Sequence, residues 1–165
     1  GKEILETLER NEISTELIQV NEKPTGTVDV KLNAQGVPEY TIHENVAWDY
    51  INIDSSIEQR VKDADIICFG SLAQRNGTSG DAIISILKTS RTEAFKVFDI
   101  NLRQHYYNKE IIENSLELCN VLKLNEEELQ IVSDMLKLTG NSDESKIEEL
   151  INKKRKDESN NEEKL

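Results

Sequence analysis

Two short stretches of this 165-residue chain bring together side chains suited to phosphate and oxyanion chemistry. Asp99-x-Asn101-x-Arg103 sets a carboxylate, an amide and a guanidinium on alternate positions of an extended segment, so all three can project into one crevice. A guanidinium there suits a phosphate or a developing oxyanion. The competing reading has Asp99 and Asn101 satisfying loop backbone and Arg103 paired with one of the chain's 32 acids. Asn125-x-x-Glu128 has the spacing of an N-cap and its N3 partner, the capping box that opens a helix. The same geometry lets a carboxylate at a helix N-terminus hold magnesium through water while the helix end faces nucleotide phosphates. The two readings of this pair are compatible.

These groups need elements to position them, and the apolar pattern supplies candidates. Three short runs, Asp65–Phe69, Phe95–Phe98 and Cys119–Leu124, are each followed by a helix-like segment and read as the parallel strands of successive βαβ units. The first crossover helix starts near Thr78, with Ala82, Ile83, Ile86 and Leu87 on one stripe, and the second carries Ile111, Ile112 and Leu116. A third runs from about Glu126 through Leu129, Val132 and Leu136 to an end near Thr139-Gly140-Asn141. Asp54 with Ser55-x-x-Glu58 predicts an N-cap and capping box that open this region. In open sheets of this kind ligands collect beyond the carboxyl ends of the strands, which is where both polar stretches fall.

Upstream the period changes. Leu17–Val20, Thr27–Leu32 and Pro38–Ile42 predict a small antiparallel sheet, with Val28, Val30 and Leu32 on one apolar face and a turn over Asn33–Gly36. The fold class is therefore α/β: a partial Rossmann-like three-layer αβα domain with a small antiparallel β lid. Its parts are residues 1–53 (a helix end and the lid), 54–142 (the parallel core) and 143–165 (a charged helix or tail with disorder expected over the last dozen residues). Helical periodicity is already under way at Ile4, Leu5 and Leu8, so the sequence is expected to begin part-way through a larger fold.

A net charge of −12 argues against a nucleic-acid-binding face and against affinity for anionic membranes. No apolar run approaches the ~20 residues needed to cross a bilayer, and a cytoplasmic protein is expected. Cys68 and Cys119 lie in apolar stretches and are expected to be buried reduced thiols, with no disulfide and no metal site.

Phe98–Arg103 resembles the D-x-N-x-R segment, and Lys123–Leu129 the N-x-x-E segment, of the ribokinase-like (PfkB) carbohydrate kinases, in the family's order and separated by one helix and one strand. Thr25–Val30 and Glu44–Tyr50 are similar to fructokinase-like members, in which the small sheet is a lid over the sugar. The resemblance covers residues 1 to about 140. It implies phosphoryl transfer from ATP to a sugar hydroxyl, by positioning and charge neutralisation. Arg103 would face the sugar and the transferred group, with Asp99 and Asn101 shaping that wall. Asn125 and Glu128 would organise Mg2+ and its waters about the ATP phosphates, and Lys123 would reach a phosphate. Trp48 is a candidate lid or sugar-stacking residue against the alternative of core packing, while His43 and His105 are expected to be bystanders. The family's lid sheets commonly pair between subunits, which implies a possible homodimer.

The departures carry weight too. The family's Gly-rich sugar-holding segment and its G-A-G-D segment, which supplies an anion hole and the catalytic base, have no counterpart here; Gly140 is the last glycine. The chain is accordingly expected to be a fragment inactive alone. The alternatives are a noncatalytic nucleotide-binding or dimerisation relic of such a kinase, or a flavodoxin-like module with accidental motifs.

Overall fold

The computed structural model describes residues 1–162. The elements are α1 (Lys2–Arg10), β1 (Val28–Leu32), β2 (Pro38–Ile42), α2 (Ser55–Asp63), β3 (Ile66–Gly70), α3 (Gly77–Thr89), β4 (Phe95–Asp99), α4 (Lys109–Leu118), β5 (Val121–Lys123), α5 (Glu126–Leu136) and α6 (Asp143–Glu162). Two 3-10 turns, Ala47–Tyr50 and Leu72–Gln74, complete them. The expected α/β architecture is present: a parallel sheet ordered β3-β4-β5 beside a two-stranded antiparallel sheet.

Short polar side chains start the helices. Asp54, Asn76, Asn108 and Asn125 each occupy an N-cap and accept hydrogen bonds from backbone N–H groups of the first turn. At α2 the work is done by Asp54, which accepts from Ser56 and Ile57, and not by the Ser55–Glu58 pair expected from sequence. Asn76-Gly77-Thr78 is the start of α3. α5 stops at Leu136, short of the end expected near Thr139-Gly140-Asn141, because Lys137 takes the left-handed conformation (φ 55°) and terminates it.

The core lies between the sheet and α4, α5 and α6. Phe98, Ile100, Ile112, Leu129, Val132, Leu136 and Leu150 bury together, with Phe69 stacked on Phe98 at 5.1 Å between ring centroids. Consecutive right-handed crossovers along one direction of a sheet put their helices on the same face, and α3 packs beside α4. The other face, formed by alternation from Ile66, Cys68, Phe95 and Val121, is left exposed. This corrects the expectation for Cys68: an apolar strand run predicts burial on both faces, but its thiol lies on the open one, whereas Cys119 is buried.

The small sheet has two strands. Leu17–Val20 is irregular and packs as a loop, with Leu17, Ile18 and Val20 lining an apolar groove against Ile66 and Ile67. Register pairs Val28 with Ile42, Val30 with Tyr40 and Leu32 with Pro38, so all six share one face, while Asp29, Lys31, Glu39 and Thr41 share the other. The predicted alternation is correct, yet Val30 and Tyr40 are each 57 % exposed, with nothing among the described residues covering them. Part of the disorder expected at the C-terminus falls on 163–165, outside the described residues, and α6 extends to Glu162.

Phe98 is fully buried and Phe95, three residues away on the same strand, is 57 % exposed. Urea unfolding should show Phe98→Ala costing about 3–5 kcal/mol and Phe95→Ala within about 0.5 kcal/mol of wild type. Equal costs would mean the open face is covered in solution.

Candidate active site

The three parallel strands end level with one another, Gly70 beside Asp99 and Asp99 beside Lys123. Chain leaving β3 and β4 is locked together. Ser71, almost wholly buried, donates its hydroxyl to the Ile100 carbonyl at 2.7 Å, and Ile100 N–H reaches the Lys123 carbonyl at 3.0 Å. Gly70 has no room for a side chain without crowding: a Cβ there would stand 3.1 Å from the Asp99 carbonyl oxygen. Beyond Ile100 the backbone turns sharply at Asn101, which adopts φ 45°, a conformation asparagine tolerates better than most residues.

Glu128 ties the two polar stretches into one structure. Its backbone N–H donates to the Asn125 side chain at 2.9 Å while its own carboxylate accepts from Asn125 N–H at 3.0 Å, the capping box anticipated from spacing. The other carboxylate oxygen accepts the Leu102 N–H at 2.9 Å, within the Asp99–Arg103 segment. A side chain only 7 % exposed thus has both oxygens engaged by backbone donors of two different loops.

The remaining candidates gather around this tie. Lys123 pairs with Asp99 at 2.6 Å, on neighbouring strands. Asn101 is exposed and lines a cavity of about 280 Å³ with Trp48, Ser71 and Leu72. Arg103 is exposed, with one guanidinium nitrogen on the Leu102 carbonyl at 2.9 Å, so its charge faces outward from the strand ends. Trp48 sits on the first 3-10 turn, half-buried against Gly26, where any Cβ would collide with the indole. His43 pairs with Asp29 at 3.1 Å, and His105 stacks at a tilt on Tyr106 at 4.3 Å.

Sequence reasoning missed Arg75 and its partners. Arg75 Nε and Nη2 contact the two oxygens of Asp49 at 2.8 and 2.9 Å, and both side chains are almost fully buried. Its charge lies 4.0 Å from the Trp48 ring and 4.5 Å from the Tyr106 ring. Desolvation, reinforced by the nearby Glu44 carboxylate, raises the Tyr106 phenol above its usual value of 10. The only local signal was an arginine five residues beyond the end of the first parallel strand.

A rigid end of a parallel sheet, with a capped helix facing a polar loop under a two-stranded flap, is the ribokinase-like α/β fold. Residues 1–159 match the profile of the pfkB family carbohydrate kinases, and the chain belongs to that family. It is 24 % identical over 136 residues to the uncharacterized sugar kinase PH1459 of Pyrococcus horikoshii, covering 78 % of this chain and 44 % of that protein. The crystal structure of PH1459 in complex with ATP superposes with a TM-score of 0.69 over 81 % of this chain and 46 % of that one. Fructokinase with bound ATP from Xylella fastidiosa is similar in fold, with a TM-score of 0.76 at 16 % identity over 92 % of this chain and 48 % of that one. A PfkB family carbohydrate kinase from Listeria grayi gives 0.77 at 13 % identity over 93 % of this chain and 50 % of that one. The chain spans about half the length of these relatives.

Replacing Glu128 by Gln keeps one acceptor oxygen for two backbone donors. Stability should fall by about 1–3 kcal/mol, and the Leu102 amide should exchange its hydrogen faster than in wild type. Unchanged protection at Leu102 would show that the carboxylate does not hold this loop in solution.

Proposed function

We propose that the protein is an ATP-dependent sugar kinase of fructokinase-like type, acting through the groups at the ends of β4 and β5. The observation that carries this reading is the Glu128 tie, which brings the Asp99–Arg103 segment and the N-terminus of α5 to one rim. The family match supports it, as do the ATP complexes of PH1459 and of the Xylella fastidiosa fructokinase, each of which this chain resembles in fold.

In this reading Arg103 turns its guanidinium to the sugar and to the charge developing on the transferred phosphoryl group. Asp99 and Asn101 shape the sugar wall, with Trp48 across the small cavity from Asn101. Lys123 leaves Asp99 for an ATP phosphate at little cost, because the pair is half-exposed (70 % and 42 %) and such pairs are worth about 0–1 kcal/mol. The N-terminus of α5 presents its positive end to the phosphates.

The residues fit Mg2+ held through water. Each Glu128 oxygen has given one lone-pair position to a backbone N–H; a carboxylate offers about four such positions, so metal-bound waters can still be accepted. Asn125, exposed beside it, can take another. Among the described residues no cluster of three or more His, Cys, Asp or Glu side chains could bind the metal directly. Mg2+ would supply charge neutralisation between the phosphates.

The exposed Val28, Val30, Leu32 and Tyr40 face supports pairing of the small sheet with that of a second subunit. Two free thiols are consistent with a cytoplasmic setting.

Two measurements test the reading. ADP release by the full-length protein with Mg2+, ATP and a sugar panel including fructose should depend on sugar, and Arg103→Ala should lower kcat by about 10²–10³-fold. ATP binding without turnover on any sugar would favour the noncatalytic reading. Light scattering should find a dimer that Val30→Lys with Tyr40→Lys converts to monomer; a wild-type monomer would remove the subunit pairing.

A further inference from the structure

We propose that Arg75 is a positioning residue, fastening the two-stranded sheet to the loop that carries Arg103 so that flap and loop move as one body. Its bearing on catalysis rests on the sugar kinase reading above; the fastening itself does not.

The outer edge of β2 offers unpaired backbone groups. His43 N–H donates to the Thr27 carbonyl, so that facing pair is hydrogen-bonded. Because antiparallel pairs alternate, the backbone groups of Ile42, Tyr40 and Pro38 point away from β1. Pro38 fits such a position, having no N–H to offer a ladder. No third strand pairs there among the described residues. Side chains from the parallel domain take the free carbonyls instead. Gln104 donates its amide to the Tyr40 carbonyl and Tyr106 its hydroxyl to the Ile42 carbonyl at 3.1 Å, while just past the end of β2, and not on its outer edge, Arg75 donates its Nη2 to the His43 carbonyl at 2.6 Å.

Arg75 anchors this seam. Asp49 fixes one side of its guanidinium, Trp48 and Tyr106 present their rings to it, and Nη1 is buried without a partner. A planar fork can serve Asp49 and a carbonyl while lying against aromatic rings, which an ammonium cannot. The connection then runs inward: Tyr106 N–H donates to the Arg103 carbonyl at 3.1 Å. Arg75 therefore touches neither polar motif, yet reaches Arg103 through Tyr106 and the flap through the His43 carbonyl, with Asp49 on the Ala47–Tyr50 turn holding the guanidinium in place. A buried pair of this kind is costly to break from one side, because the remaining charge is left unpaired. The flap should accordingly respond to this one residue more than to any exposed ion pair.

The test uses Arg75→Lys, which keeps the charge but loses the fork, and Tyr106→Phe, which keeps the ring and the buried pair but loses the hydroxyl. Trp48 is the single tryptophan of the chain and reports on the seam. Both variants should exchange amide hydrogens across Val28–His43 about ten- to a hundredfold faster and expose Trp48 to acrylamide quenching, with protection of β4 and α5 unchanged. In the full-length protein Arg75→Lys should raise the KM for sugar about tenfold and leave the KM for ATP as it was. Normal flap exchange and normal quenching in both variants would overturn the proposal, and so would altered flap exchange with an unchanged sugar KM in an active enzyme. Should Arg75→Lys fail to fold, Tyr106→Phe decides the outcome through the same two readouts. A wild type without sugar-dependent turnover whose variants still loosen the flap would sink the kinase reading and support the fastening.

Discussion

A carboxylate removed from water has to find donors, and in this chain that requirement organises the site. Glu128 accepts one backbone N–H from its own helix start and one from Leu102 in the loop after β4. Hydrogen bonds to a charged acceptor are worth about 1.5–3 kcal/mol, enough to hold two loops that the sheet alone would leave independent. With Leu102 held, the backbone on either side has little freedom: Ile100 is pinned to Lys123, Asn101 turns through a positive φ, and Arg103 emerges above the strand ends. The capping box and the site are thus one arrangement, and the helix start gains stability from the group that completes the rim.

Around that rim the interactions divide by burial. Asp99 and Lys123 meet in water, where their attraction is screened and their side chains are free to separate for a ligand. Arg75 and Asp49 meet away from water, where the same chemistry is strong and separation leaves an unpaired charge. Exchangeable contacts therefore lie at the strand ends, where the proposed reading brings a phosphate, and fixed contacts where the flap joins the parallel domain. The flap itself buries little: its apolar ladder is open, and among the described residues Gln104 and Tyr106 on the outer edge of β2 and Arg75 on the His43 carbonyl hold it to the parallel domain.

What the sequence by itself determined was local and periodic. The alternation of Val28, Val30 and Leu32, the three parallel strands, the Asp54 and Asn125 caps and the order of the two polar motifs depend on spacings of two to four residues, and each is found where spacing placed it. Even there competition decided details, since Asp54 caps α2 in place of the Ser55–Glu58 pair and Lys137 ends α5 before Gly140. Tertiary structure alone decided the long-range matters. Glu128 meets Leu102 across 26 residues and Arg75 meets Asp49 across the same interval, and no periodic pattern marks either partner. Cys68 and Leu17–Val20 were misread for a related reason: apolar runs show that a segment prefers burial, but which surface is available to cover it is set by the direction of the crossovers and the packing of distant helices. Local spacing specifies which groups can share a face; only the folded chain specifies which faces meet.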